Sequence, residues 1–452
     1  MSSTIAVEDL RVGMFVLLEG GWLSHPFPLS NFRIASIEQI NTLRGLGPAR
    51  VRWLPEKSDL QTDANPSDWV AAAAAPRTSA SKSESKSESK PDSVPGSAGE
   101  RAADSATEQR RQDVLAQREA IQRCERQHTE AALVWRETSE LISTRPQDAG
   151  RNTEVLTRTI LDKMLGGADV GIRLVSGGVD RAAAHALNVG VISLLIARSL
   201  GFSKQELLEL GVGALLHDVG KTEVADRFHH AEDGFNAHEV ATYRDHVVKG
   251  VTLGQRMRLA AGALRVLAQH HELADGSGFP LKLAGERISM GARVVALVNR
   301  YDNLCNPQAH TLALTPHEAV SVLFAQGRQR FDSAVLNAFI RMMGVYPAGS
   351  LVQLTDDRFA MVVGVNSSRP LKPSVLVHDP KVPRGDALML DLERLPDLGI
   401  RRSLPAAKLP TAAVEYLDPR PRVAYYFEPL VQHVHAHEHE PVHEPVHERS
   451  AA

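Results

Sequence analysis

His185, the His217-Asp218 pair, His246 and the His270-His271 pair are metal-ligand residue types separated by stretches of helical periodicity. No other feature of the chain constrains its fold as much. A lone inward histidine is usually a satisfied core residue. Several inward imidazoles with a carboxylate are costly to bury unless each finds a hydrogen bond or a metal. The spacing therefore predicts a set of helices whose ligand residues converge in space. Imidazoles and a carboxylate suit borderline divalent ions such as iron, manganese or zinc, and a pair of such ions can activate water against a phosphoester.

The local signals fit that picture. Ser203 and Glu206 form a capping-box signature, with Phe202 and Leu207 at the positions of a hydrophobic staple. The helix started there, from Lys204 to about Asp218, ends in the His-Asp pair. Asn236 and Glu239 mark the start of the helix carrying His246. On the next helix Ala263, Val266, Leu267 and His270 follow the i, i+3, i+4, i+7 stripe that points inward.

Composition bounds the rest. A chain of 452 residues accommodates two or three domains. Lys+Arg 51 against Asp+Glu 54 gives no basic field, so no nucleic-acid partner is expected. Two distant cysteines, Cys124 and Cys305, suit a reduced cytoplasmic protein and argue against a metal-thiolate cluster. Residues Met1 to Leu10 lack the pattern of a signal peptide, and no uninterrupted apolar run reaches the roughly 20 residues that cross a bilayer, so no membrane partner is expected.

Five segments are expected. Residues 1–56 read as a small α/β unit, with strands at Thr4–Val7, Met14–Leu18 and Val51–Leu54 and a helix over Ser36–Leu46. Residues 57–110, rich in Ser, Lys, Glu and Pro, read as a disordered linker. Residues 111–343 are helical, and residues 344–425 are β-rich, with strands near 350–354, 360–365 and 374–377. Residues 426–452 form a tail carrying His433, His435, His437, His439, His443 and His447, expected to be disordered with incidental metal affinity.

Leu215-Leu216-His217-Asp218-Val219-Gly220-Lys221 and His270-His271-Glu272-Leu273-Ala274-Asp275-Gly276-Ser277-Gly278-Phe279-Pro280 resemble the two hallmark blocks of the HD-GYP family of cyclic di-GMP phosphodiesterases, a branch of the HD phosphohydrolases. Leu200-Gly201-Phe202, Ala292-Arg293-Val294, Tyr301-Asp302 and Phe331-Asp332 match as well, so the likeness covers about 180 to 342. Val7-Glu8-Asp9-Leu10, Val12 to Val16 and Trp22 to Phe27 resemble a domain without settled activity that often precedes it.

The resemblance implies a mainly α fold: a helical HD-type metal-dependent phosphohydrolase core with a small N-terminal α/β domain and a short C-terminal β appendage. It implies His185, His217, Asp218, His246, His270, His271 and Asn299 as ligands of two divalent ions, iron or manganese, with Asp218 as the bridge. Lys221 would meet a phosphate oxygen as a point charge. Asp275, Gly276, Gly278, Phe279 and Pro280 would form a loop at the site, and Asp302 would support it. The implied reaction opens the 3'-5' phosphodiester of cyclic di-GMP to pGpG, with GMP as a further product, in bacterial second-messenger signalling. Cyclic di-GMP and signalling proteins are the implied partners. The charged helices near 110–140 leave both a homodimer and an isolated structural helix open.

Four departures qualify this. Asn299 stands where the family has an Asp, on one stripe with Ala292, Val295 and Ala296 that faces the site. Phe279 replaces a tyrosine. Gln308 and Thr311 stand where a basic pair would hold substrate phosphates, and Arg181 stands where an acid would support a third ion. Beside an active phosphodiesterase, these keep two readings open: a module that binds cyclic di-GMP or a protein without turnover, and a hydrolase of another cyclic nucleotide.

Overall fold

The computed structural model describes residues 3–17, 31–34, 40, 43–44, 50–58, 98–166, 169–176, 180–229, 235–308, 312–327, 329–366, 369, 371–387, 389–395 and 397–430. Near the N-terminus, β1 (Ser3–Ala6), β2 (Phe15–Leu17), β3 (Asn31–Arg33) and β4 (Arg50–Trp53) form an antiparallel sheet in the order β1-β4-β2-β3. Its apolar residues have their own core, in which Val16, Ile34, Leu43 and Val51 are buried. Residues 40, 43 and 44 of the helix expected over 36–46 are described and are helical. The Trp22–Phe27 motif, most of the expected linker and the His-rich tail from 431 onward lie outside the described residues.

The helical body opens with α1 (Ala98–Leu141) and α2 (Pro146–Leu165). Helix α1 begins inside the segment expected as linker, because Ala, Glu, Gln and Arg in residues 98–110 are good helix formers despite their polarity. After β5 (Asp169–Val175) come α3 (Arg181–Ser199), α4 (Lys204–Leu216), α5 (Ala237–Arg256), α6 (Ala261–Gln269), α7 (Met290–Cys305), α8 (Pro316–Gly327) and α9 (Ser333–Met343). Both expected capping boxes are formed, Ser203 with Glu206 and Asn236 with Glu239. Helix α3 is long and apolar enough to span a bilayer, yet 72% of its apolar window is buried against the rest of the fold, and it carries His185. Cys124 and Cys305 are free and buried.

The chain then forms β6 (Leu351–Leu354), β7 (Phe359–Asn366), β8 (Ser374–Val377), β9 (Met389–Asp391), β10 (Ile400–Ser403), α10 (Thr411–Leu417) and β11 (Ala424–Leu430). The expected C-terminal β strands are present, and their sheet takes in one strand from the helical body. The second sheet runs β10-β6-β7-β5-β11, so β5, from between the first helices, pairs antiparallel with both β7 and β11. Strand β11 also runs past the expected boundary at 425. Its Tyr425, Tyr426 and Phe427 are at most 1% exposed, as expected of a strand covered on both faces, where alternation disappears. One continuous core joins the helices and this sheet.

Where α1 crosses β11, His128 is fully buried, with both ring nitrogens unpartnered and its ring edge-on to Tyr426. Burial lowers its pKa from 6.5 to about 4. The unfolded chain thus takes up this proton near pH 6.5 and the folded chain only near pH 4. Stability from this group is complete above 6.5 and falls as pH drops between those values. His128→Leu should therefore flatten the acid limb. Between pH 7 and pH 5 the wild type is expected to lose about 2 kcal/mol more than the variant, measured by urea unfolding.

Candidate metal centre

The ligand residues occupy helix ends and faces that the core packing brings together. His217 caps the C-terminus of α4, and Asp218 opens the short helical turn Val219–Glu223 that carries Lys221. His246 lies within α5, and His270 caps α6 with His271 next in the chain. Gly220 permits the close approach of α5. A Cβ there would sit 1.9 Å from the His246 carbonyl oxygen, so any side chain would push His246 away.

Asp218 is the centre of the arrangement. Its Oδ1 lies 3.5 Å from His246 Nε2 and 3.8 Å from His270 Nε2. Its Oδ2 lies 3.4 Å from His217 Nε2, 3.5 Å from His185 Nε2 and 2.6 Å from Lys221 Nζ. His271 completes the first side, its Nε2 3.1 Å from that of His246. Two ligand groups result, Asp218-His246-His270-His271 and His185-His217-Asp218, each with its ligand atoms within 4.8 Å of one another. The side chains of His185, Asp218 and Lys221 are 18%, 19% and 16% exposed, against 0% for His246, and His271 is also partly exposed, so each ligand group reaches solvent.

The hydrogen bonds fix the tautomers. His217, His246 and His270 each donate Nδ1–H to the carbonyl three residues back, at 2.7, 2.5 and 2.9 Å. Their Nε2 lone pairs then face one another and Asp218. His185 donates Nδ1–H to Asp302 Oδ2 at 2.6 Å, an arrangement that orients a ligand imidazole and raises its basicity. Burial, reinforced by neighbouring charge, pushes His270 and His271 well below the usual histidine range, and burial lowers His246 too, so these rings stay neutral. Burial would also lower His185, but hydrogen bonds to Asp218 and Asp302 outweigh it and raise that ring to about 9. Burial would raise the Asp218 carboxyl. Lys221 and His217 reverse this and hold it well below the carboxylate range.

Convergent lone pairs need a cation, and one further observation marks the place. Asp218 Oδ1 is buried with no hydrogen-bond partner, although nearly all buried carboxylate oxygens have one. The donor set, imidazole nitrogens sharing a carboxylate, fits borderline divalent ions.

Of the remaining expected residues, Asp302 and Phe279 contact the cluster, through His185 and His271. Asp302 lies 1% exposed behind His185. Asn299 is 4% exposed on α7, and its Oδ1 accepts from Asn303 Nδ2 at 2.6 Å. Asp275 accepts from Ser277 backbone and hydroxyl and so shapes its turn, with Gly276 at φ +77°. Gly278 packs so tightly that a Cβ would meet the backbone of His271, Glu272 and Leu273 at 2.5 Å. Phe279 stacks on His271 with ring centroids 4.5 Å apart and precedes Pro280 through a cis bond. Gln308 is exposed, Thr311 lies outside the described residues, and Arg181 donates to the Asn306 carbonyl.

Sequence reasoning missed several supporting residues. Glu272, 1% exposed, accepts the Leu281 and Leu283 N–H groups and anchors the loop on the site. The ring of Tyr243 lies 5.1 Å from that of His246, and the Arg244 guanidinium lies 5.0 Å from the centre of Phe279. Asn188 and Asn306 hold Asp302. Tyr243 and Arg244, just ahead of His246, were detectable by position. The asparagines gave no signal, because their partners are distant in sequence.

Residues 139–335 match the HD domain family model, and residues 2–150 match a domain of unknown function, DUF3391. The chain is 31% identical over 194 residues to the cyclic di-GMP phosphodiesterase PA4108 of Pseudomonas aeruginosa, covering 43% of this chain and 47% of that protein. It is 33% identical over 150 residues to the cyclic di-GMP phosphodiesterase response regulator RpfG of Xanthomonas campestris pv. campestris, covering 32% and 39%. The chain spans about half the length, or less, of these curated relatives. Among solved structures it is similar to Bd1817, an HDG"Y"P protein from Bdellovibrio bacteriovorus, at 13% identity and TM-score 0.38, covering 75% of this chain and 98% of that one. Residues 139–335 thus carry an HD domain, residues 2–150 a DUF3391 match, and the His217-Asp218 and His270-His271 pairs of the two hallmark-like blocks lie together in the ligand cluster.

Proposed function

We propose that this protein is a cyclic di-GMP phosphodiesterase that opens one 3'-5' phosphodiester to give pGpG, using two divalent ions, iron or manganese. The observation that carries the reading is Asp218, whose two oxygens face two separate histidine groups. His246, His270 and His271 would hold one ion with Oδ1, and His185 and His217 the other with Oδ2. When bound, such a pair supplies an activated water and charge neutralisation at phosphorus. Lys221, now paired with Asp218, would turn its charge to a phosphate oxygen once an ion takes that carboxylate. Asp302 keeps the His185 ring aimed at the site, and the Glu272-anchored loop sets Phe279 against His271. The names of the relatives PA4108 and RpfG support this substrate. We assign the expected domain order, with the helical body begun at Ala98 and the C-terminal strands carried to Leu430, a cytoplasmic setting and signalling protein partners to the same proposal.

The test is purification with added iron or manganese, measurement of bound metal, and chromatography of the products from cyclic di-GMP. Two ions per chain with pGpG formation is the expected result. Stoichiometric metal without cleavage would convert the reading to a binding module, and cleavage of only a different cyclic dinucleotide would reassign the substrate.

A further inference from the structure

We propose that Asn188 and Asn306 are positioning residues through which the chain entering strand β11, at Val423 and Tyr425, sets Asp302, and through it His185, for the ion on the His185–His217 side. The inference rests on the two-ion reading above. Asn188, on α3, donates Nδ2–H to Asp302 Oδ1 at 2.7 Å and to the Val423 carbonyl at 3.1 Å, and its Oδ1 accepts the Tyr425 N–H at 2.8 Å. Asn306, just past α7, repeats the pattern. Its Nδ2–H groups reach Asp302 Oδ1 and the Val423 carbonyl at 2.9 Å each, and its Oδ1 accepts the Val423 N–H at 2.9 Å.

Both amides thus bridge the same carboxylate and the same stretch of chain, at and just before the start of β11. They are 0% and 9% exposed, where each bond has no competing water. Asp302 gives Oδ1 to these two amides and Oδ2 to His185, so the amides fix the plane of the carboxylate, and that plane fixes the imidazole. Val423 and Tyr425 lie well beyond residue 335, where the matched HD domain region ends. The C-terminal sheet is therefore part of the support of the metal centre on one side only. His246 and His270 take their orientation from their own helices instead.

The test is metal stoichiometry and affinity, read by elemental analysis and manganese titration of the full chain. The wild type should bind two ions. Asn188→Ala and Asn306→Ala should keep one at unchanged affinity and weaken the other about 10–100-fold. His185→Ala should lose the same ion, and adding Asn306→Ala to it should cause no further loss, because both act through one ring. Should Asn188→Ala not fold, as judged by melting in chelator, Asn306→Ala carries the test, since it leaves the Tyr425 N–H bonded. Two ions at unchanged affinity in the folded variants, loss of both ions, or additive losses with His185→Ala would overturn the coupling. A wild type that binds a single ion would instead sink the two-ion reading, and this coupling with it.

Discussion

Asp218→Ala is expected to leave the protein without bound iron or manganese and to lower cyclic di-GMP cleavage at least a thousandfold, to background. Among the described residues, Asp218 is the only carboxylate shared by the two ligand groups. Without it, each ion would face imidazoles alone, with the Lys221 ammonium nearby and Asp302 reaching it only through the His185 ring. Removing a water-activating ion abolishes the electrostatic stabilisation that dominates such hydrolyses. Removing Asp218 also takes the partner from Lys221 and His185, so metal-free Asp218→Ala should melt below metal-free wild type, a cost that melting in chelator separates from the loss of metal. Elemental analysis, product chromatography and melting in chelator read the three outcomes separately. Turnover at the wild-type rate would remove Asp218 from the site altogether.

The centre was legible in the sequence because its ligands sit in short motifs at helix ends. His217-Asp218 follows the capping-box helix and His270-His271 ends an amphipathic stripe, and both pairs meet at one point. What surrounds the ligands was not legible. Asn188 and Asn306 look like ordinary polar residues until Val423 and Tyr425 arrive from the far end of the chain. Glu272 was visible inside a hallmark block, but its role depends on backbone N–H groups of the loop that follows it. The C-terminal strands were expected, but that β5 joins their sheet was hidden for the same reason. Strand β5 has no sequence neighbour to pair with, and local periodicity cannot reveal that β7 and β11 flank it. The beginning of α1 shows the opposite failure, where polar composition suggested a linker although the residues favour a helix.

Asn299→Asp should raise metal affinity about 10–100-fold and make the metal-free protein less stable, and both follow from one position. Asn299 is 4% exposed on α7, one helical turn before Asp302. As an amide it adds no charge, and its oxygen is already taken by the Asn303 Nδ2–H at 2.6 Å. A carboxylate could keep that bond and add a negative charge to a buried region that already holds Asp218 and Asp302. Without ions, like charges and burial oppose it, and stability falls. With ions bound, the same charge is neutralised, so metal binding becomes more strongly coupled to folding. The gap in melting temperature between chelator-treated and manganese-loaded protein should therefore widen in the variant, and cleavage at limiting metal should rise. An unchanged gap together with unchanged metal affinity would mean that residue 299 is electrostatically remote from the ions. The departure from the family pattern would then carry no functional cost.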